Sequence, residues 1–500
     1  MVKSTIQVTL FSILGIGINF LIQLLLAYYF GATAERDAYF AALTIPAYIT
    51  VLFTGSIGMM LLPYLVRFQE SGNREQMIGF ANAVINFCFL LLAAIIASGY
   101  FLARPILHIL LPASKQDMLP IAVSLFQIQM LSIVFTVLSN LLAAFFQSRH
   151  SFLVPALFPI LTGMGTVIWV VLFHSSLGIK SLAIGNLIGA MVSFSFMYIS
   201  VLHSPGYKWT ISLNQEGLSK ILLASLPLFL AGIFFRSTTV IERFLAARLP
   251  QGSLSYLGSA NQIVVVLSTI VSSGIATTSF PLLSKYWTNK DLLTLEKTFT
   301  RVISLVVLLI FPMITIFAIS GIDLIHLLFE RGAFTSKDTV ALYYTLLGLM
   351  GFFLFSSLGN VVQRILYLSH HAMAVAVIAT MEVLIYLVSA WILSSYFQYV
   401  GLALSMSFAS GCNIIISFFF IDRRVISLDM KRLIRRIIYL LILSIALFFL
   451  LHYLNQLLLP YLGGTFRVII QSILVAASYT LFVATIFRNI GYKPFLQPKQ

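Results

Sequence analysis

The chain is 500 residues long, 60% hydrophobic and only 9% charged, against roughly 25% charge in soluble domains, which excludes a soluble globular protein. Its formal net charge of +15 invites a nucleic-acid reading, but the basic residues are spread over short loops without an aromatic-interleaved patch, so no nucleic-acid partner is expected. Cys88 and Cys412 both fall in apolar stretches and read as small buried residues, leaving no disulfide and no metal site in prospect.

Apolar runs recur from end to end, many near the roughly 20 residues that cross a bilayer as a helix, whereas a β-barrel would show short alternating segments. The predicted fold class is an all-α polytopic membrane protein of fourteen spans. They begin near Ile6, Ala38, Ile78, Ile121, Phe152, Ser181, Ser219, Tyr256, Phe299, Val340, Ala372, Gly401, Ile437 and Arg467. The first apolar stretch is too long for a signal-peptide core and shows no small-residue cleavage site, so it is expected to be retained. With an even number of spans both ends lie on one side. One set of loops carries most of the Lys and Arg, among them Arg67, Arg74, Lys285, Lys290, Arg423 and Arg435, which places both termini in the cytoplasm. No loop is long enough to hold a catalytic domain, which counts against an enzyme.

An internal repeat is legible at low similarity. Sliding the chain so that Pro63 falls on Pro281 also brings Leu65 to Leu283 and His108 to His326, and a few inserted residues bring His150 to His371. The offset spans six helices and so preserves orientation, the mark of a parallel repeat about the membrane normal. The expected organisation is an N-lobe over 1–202, a cytoplasmic linker over 203–218, a C-lobe over 219–421, and two appended helices with a tail over 422–500. Two such pseudo-symmetric lobes around a central cavity suit alternating access.

The seventh span contains "GIFFRSTTVIERFLAARLP", with charges where a membrane helix should have none. A charge at the centre of a span costs about 2.5–3.5 kcal/mol on insertion scales, so such residues face a wet cavity or a partner. In one continuous helix Arg236 and Arg243 share a stripe, roughly 10 Å apart, with Thr239 close to it and Glu242 on the flank. Two guanidinium groups on one face suit a phosphate-bearing ligand; pairing of Arg243 with an acidic neighbour is the structural alternative, and Arg248 near the helix end is expected to reach for the interface.

The other polar residues of the spans are few. Asp37 opens the second span, either as a helix cap or as part of a gate. Glu382 lies deep in the eleventh span, either as a coupling-ion ligand with Glu242 or as a partner of Arg364. Asn261 and Gln262, early in the eighth span, fit structural hydrogen bonding and cavity lining equally. Thr335 and Asp338 in "FERGAFTSKD" fit a capping box, a mainly structural signal.

At these residues the sequence resembles the MurJ/MviN flippase family. "FGATAERDAYFAALTIP" with the following "LLPYL" is similar to that family's opening, "LLFERGAFTSKDT" to its Leu-Phe-x-x-Gly-x-Phe-Thr segment, and "LPQGSLSYLGSANQI" to its connection between spans seven and eight. The resemblance implies the fold of the multidrug/oligosaccharidyl-lipid/polysaccharide exporter superfamily. It also implies movement of a polyprenyl-pyrophosphate-linked glycan, lipid II in peptidoglycan synthesis, to the outer leaflet of the bacterial cytoplasmic membrane. Energy in the family comes from the membrane potential or ion gradients, so Na+ or H+ is the expected coupling ion, with no other cofactor, and a monomer among membrane lipids is expected.

The sequence departs from the family's pattern at its arginines. Members that flip lipid II tend to carry them in the first span, after the Ile-Pro of the second and at the start of the eighth. Here the first span has none, "IPAYIT" offers Ala47 and Thr50, and the eighth span offers Gln262, while Asp37 is kept. Anion-binding charge is thereby reduced or moved to Arg236 and Arg243, and a lipid-linked surface-polysaccharide unit fits as well as lipid II. Under the resemblance, Glu242 and Glu382 are the acids available where some relatives place a sodium site between spans seven and eleven. The competing readings are a cation-coupled drug exporter of the same superfamily, which would favour acids over arginines in the cavity, a membrane-embedded transferase, for which no positioned base or metal cluster is visible, and a non-transporting scaffold for envelope synthesis.

Overall fold

A computed structural model describes residues 2–203, 210 and 218–458, with 470, 473–474 and 477–478. Among these residues all regular structure is helical. Helices α1 (Val2–Phe30) and α2 (Ala34–Phe53) stand at the first two predicted spans, and α2 passes through a π-helical turn, Thr54–Gly58, into α3 (Met59–Glu70). Then α4 (Arg74–Leu110), α5 (Leu119–Ser148), α6 (Leu153–Leu177) and α7 (Lys180–Leu202) occupy spans three to six. The seventh span is broken into α8 (Leu218–Phe235) and α9 (Ser237–Ala246); α10 (Ser253–Thr288), α11 (Leu292–Phe329), α12 (Ser336–Leu368), α13 (Ala372–Arg424) and α14 (Met430–Leu458) follow. Helix α13 is interrupted by a kink at Gln398, where φ is 52° and ψ −129°, and its two parts hold the eleventh and the twelfth predicted spans.

Eleven helical segments of the described residues are long and apolar enough to cross a membrane. That number counts α13 once and leaves out the interrupted seventh span; the predicted fourteenth span, near Arg467, lies outside the described residues apart from isolated positions. The all-α polytopic architecture is therefore as expected. Large apolar side chains such as Phe101, Trp391 and Phe419 are exposed, as they must be on helices whose solvent is lipid.

The chain divides into two compact units, one made of 1–263, 332–334 and 379–405, the other of 264–331, 335–378 and 406–500. In the first, α5 packs against α2, α4 and α7, α1 lies on α6, and α6 lies on α7. Phe53, Phe80, Phe126 and Phe145 are fully buried there. Lipid offers no hydrophobic drive between helices, so close approach of backbones must supply the attraction. The α6–α7 contact does this through the Gly-x-x-x-Gly pair Gly185 and Gly189: a Cβ on Gly189 would stand 2.3 Å from the Thr162 carbonyl oxygen. The short segment around Ala333 docks on the end of α1, its backbone N–H donating to the Tyr28 carbonyl at 2.8 Å.

In the second unit α11 packs against α12 and α14. The expected capping box opens α12, with the Thr335 backbone N–H donating to Asp338 at 2.8 Å. At α11 the N-cap is itself the acid: the Asp291 carboxylate accepts from the Thr294 backbone N–H at 3.1 Å.

Candidate functional site

The first unit holds every predicted substrate-binding residue, and its seventh span explains how. Helix α8 ends at Phe235, where Ile233 gives its carbonyl to the Tyr48 hydroxyl and Phe234 gives its carbonyl to Ser237. Side chains thus satisfy carbonyls that a continuing helix would have used. Arg236 occupies the break, with φ −96° and ψ −3°. The single straight stripe expected for Arg236 and Arg243 is corrected accordingly. The two residues nevertheless face one cavity of about 150 Å³, together with Thr239, Phe40, Thr44 and Tyr48.

Arg236 and Thr239 are exposed to that cavity and Arg243 is half-buried. Arg243 lies over the Phe40 ring, 4.8 Å from its centroid, and donates to the Leu254 carbonyl at 3.3 Å. These two contacts fix its position beside a cavity whose wall, among the described residues, carries no carboxylate. Glu242, the neighbouring acid, is 2% exposed and accepts two hydrogen bonds from the Asn261 amide, at 3.0 and 3.2 Å. Asn261 therefore serves Glu242 directly, in place of a position on the arginine cavity. The fully buried Tyr386 of α13 lies within electrostatic reach of Glu242 and Arg243, and its hydroxyl has no hydrogen-bond partner among the described residues.

Glu382 is half-buried on α13, one helical turn before Tyr386, and lines neither cavity described here. Arg364 belongs to the second unit, where its guanidinium lies 5.3 Å from the Phe280 centroid. Gln262 faces away from its neighbour Asn261, into a larger cavity of about 400 Å³. Arg248 folds back on the end of α9, donating to the Phe244 carbonyl at 2.7 Å, and is exposed.

Asp37 does not cap its own helix, whose N-cap is Thr33. Its carboxylate caps α10 from outside: one oxygen accepts from the Gly252 N–H at 2.7 Å, the other from the Ser255 N–H at 2.9 Å and the Ser255 hydroxyl at 2.6 Å. An anion at a helix N-terminus meets its unpaired N–H groups and the positive end of its dipole. Gly252 adopts φ +90°, a left-handed conformation that glycine alone takes without strain. Buried Arg36 adds a second strap, donating to the Gly31 carbonyl at 2.9 Å and to the Ser259 hydroxyl at 2.5 Å. Lys115 donates to the Leu249 carbonyl at 2.7 Å beside the same turn.

Sequence reasoning missed Arg36, Lys115, Ser255 and Ser259. The signal was present as hydroxyl-rich "GSLSYLGS" facing "ERDA", but a cap supplied from more than two hundred residues away leaves no local pattern.

Helices long and apolar enough to cross a membrane, with arginine and carboxamide side chains lining cavities of the first unit, define a polytopic membrane protein built to hold a polar group. The family model "Lipid II flippase MurJ" matches residues 26–471. The chain belongs to that family, whose members are flippases and not enzymes.

Among its relatives, a probable lipid II flippase MurJ of Buchnera aphidicola subsp. Acyrthosiphon pisum is 25% identical over 90% of each chain. The lipid II flippase MurJ of Burkholderia cenocepacia is 22% identical over 54% of each. A solved structure of lipid II flippase MurJ in an inward closed conformation superposes with a TM-score of 0.82, at 21% identity, over 98% of this chain and 100% of the other. An inward-facing MATE family multidrug transporter of the MOP superfamily superposes at 0.68, with 14% identity, over 81% and 93%. The fold is shared with both groups; the family is the flippase family.

Proposed function

We propose that the protein carries a polyprenyl-(pyro)phosphate-linked glycan precursor, lipid II or a surface-polysaccharide unit, from the inner to the outer leaflet of the bacterial cytoplasmic membrane by alternating access. The observation that carries this reading is the cavity with Arg236, Thr239 and Arg243 in its wall and no carboxylate. Guanidinium groups bind phosphate oxygens through paired hydrogen bonds, so the cavity favours an anionic headgroup and disfavours the cationic drugs that an acid-lined exporter would take. The polyprenyl tail stays in lipid while the headgroup enters.

In this reading both termini are cytoplasmic and the protein acts as a monomer. The straps from Arg36 and Asp37 to α10 hold the outer side shut, and their release opens it. Glu242, with Asn261 beside it and Glu382 one turn from Tyr386, forms the group that senses the coupling ion, Na+ or H+. The lobes 1–202 and 219–421 are the moving bodies.

The test is depletion of the protein in its host followed by mass spectrometry of polyprenyl-linked intermediates. Accumulated lipid II assigns it to peptidoglycan synthesis, and another lipid-linked oligosaccharide to a surface polysaccharide. No accumulation overturns the flippase assignment of the cargo.

A further inference from the structure

The larger cavity of the first unit, about 400 Å³, has a chemistry unlike that of the arginine cavity it adjoins. The two share Leu43, Ala47 and Val51 of α2 as a common wall. Among the described residues, five carboxamides line the larger one, Asn19, Gln23, Gln129, Asn186 and Gln262, with several hydroxyls and without a single Lys, Arg, Asp or Glu. Ala47 and Thr50 are in this wall, so two of the positions that depart from the family's arginine pattern face the same neutral space.

Two of the carboxamides are incompletely satisfied. Gln129 is 1% exposed; its Oε1 accepts from Asn186 at 3.4 Å and Ser132 at 3.3 Å, while its Nε2 has no partner among the described residues. Gln23, on α1, is 9% exposed and its Oε1 has no partner among the described residues. An unpaired buried polar atom is costly, so such an atom is matched by protein, by ordered water or by a ligand. Here a donor and an acceptor lack a partner among the described residues, on two different helices that line a space whose volume falls in the range of about 300–1,000 Å³ typical of small-molecule sites.

A ligand that satisfies them must offer acceptors and donors together and bring no charge. A phosphate would find no cation there, and a peptide carboxylate or ammonium no counter-charge. Sugar hydroxyl and acetamido groups have both hydrogen-bonding capacities and are neutral. We propose that this chamber is a saccharide subsite, which binds the uncharged sugar next to the diphosphate while the phosphates lie against Arg236 and Arg243 across the α2 wall. The proposal rests on the flippase reading above and adds Gln23 and Gln129 as specificity-determining residues for the glycan.

The experiment uses the full-length protein in lipid nanodiscs and two probes, farnesyl diphosphate and farnesyl diphosphate esterified with N,N′-diacetylchitobiose. The quantity read is the ratio of their affinities. Wild type is expected to prefer the sugar-bearing probe by tenfold or more, as about one hydrogen bond to each open amide implies. Gln23→Leu and Gln129→Leu should each reduce that ratio by roughly tenfold or to unity, and Arg243→Ala should weaken both probes by the same factor.

A ratio near one in wild type, or an unchanged ratio in both leucine variants, overturns the saccharide subsite. Thermal unfolding identifies a variant that fails to fold, and because the two glutamines are on different helices either one suffices. If wild type binds neither probe, the flippase reading falls and this proposal with it. If the ratio responds to the glutamines but Arg243→Ala changes neither affinity, the saccharide subsite stands and the phosphate assignment is the part that fails.

Discussion

Single side chains carry the recognition chemistry, and they predict separable effects. Arg243 is held by the Phe40 ring and the Leu254 carbonyl, so Arg243→Lys keeps the charge but loses the planar fork that both the stacking and a bidentate phosphate contact need. Removal of the charge in Arg243→Ala should weaken binding of a polyprenyl diphosphate about 10- to 100-fold, from the roughly 1.5–3 kcal/mol of a hydrogen bond to a charged group, and the lysine variant should fall between. Transport at the wild-type rate by correctly inserted Arg236→Ala and Arg243→Ala proteins would disprove the phosphate-binding role.

At Glu330 the prediction concerns pH. Its carboxylate pairs with His326 at 2.9 Å and accepts from the Thr339 hydroxyl at 2.7 Å, and these hydrogen bonds, that of His326 first, hold its pKa below the usual value of 4.5. A folded-state value below the unfolded one stabilises the protein above the unfolded value, and that contribution is lost as pH falls through the folded value. The melting temperature of wild type should therefore drop more between pH 7 and pH 3 than that of Glu330→Gln; parallel curves would refute it.

At the scale of elements, the ends and crossings of helices decide what the residues can reach. Asp37 is useful only because α10 begins in front of it, with Gly252 in a left-handed turn and Ser255 three residues on. Asp37→Ala removes three hydrogen bonds and leaves buried N–H groups unpaired, at about 1–3 kcal/mol. The expected result is a lowered melting temperature together with faster labelling, from the outer side, of a cysteine placed at the buried Leu254. Stability lost without any change in labelling would make Asp37 a cap and nothing more.

The α6–α7 crossing makes a second prediction. The atom that a Cβ on Gly189 would meet is a backbone carbonyl oxygen, which cannot swing aside. Gly189→Ala should cost about 1–3 kcal/mol as overpacking, measurable as a lowered unfolding temperature in detergent, whereas Gly17→Ala, with open space around it, should be close to neutral.

For the whole molecule the decisive quantity is orientation. Ser71 and Ser176 are both exposed, at the ends of α3 and α6, and under the cytoplasmic-termini reading they face opposite compartments. In a chain with Cys88 and Cys412 replaced by serine, Ser176→Cys should react with an impermeant maleimide from outside and Ser71→Cys only after the membrane is inverted. Labelling of both from one side would contradict the span order on which the direction of transport depends.

Sequence alone determined the class of molecule, because bilayer thickness and the cost of unpaired backbone in lipid translate length and hydropathy directly into helices. Thirteen predicted spans meet helices of the described residues at their expected places, and the Thr335–Asp338 box was legible since both partners lie within one turn. Arg236, Thr239 and Arg243 could be assigned to one cavity because all three belong to a single short segment. What the sequence left open required partners distant in the chain. Tertiary structure alone decided that the seventh span breaks at Arg236, that Asp37 caps α10 and not its own helix, that Asn261 and Gln262 part company, and that carboxamides from α1, α5, α7 and α10 converge on one neutral chamber. The physical reason is common to these cases: a hydrogen bond between remote helices, or a cavity assembled from several, has no periodicity within any one of them.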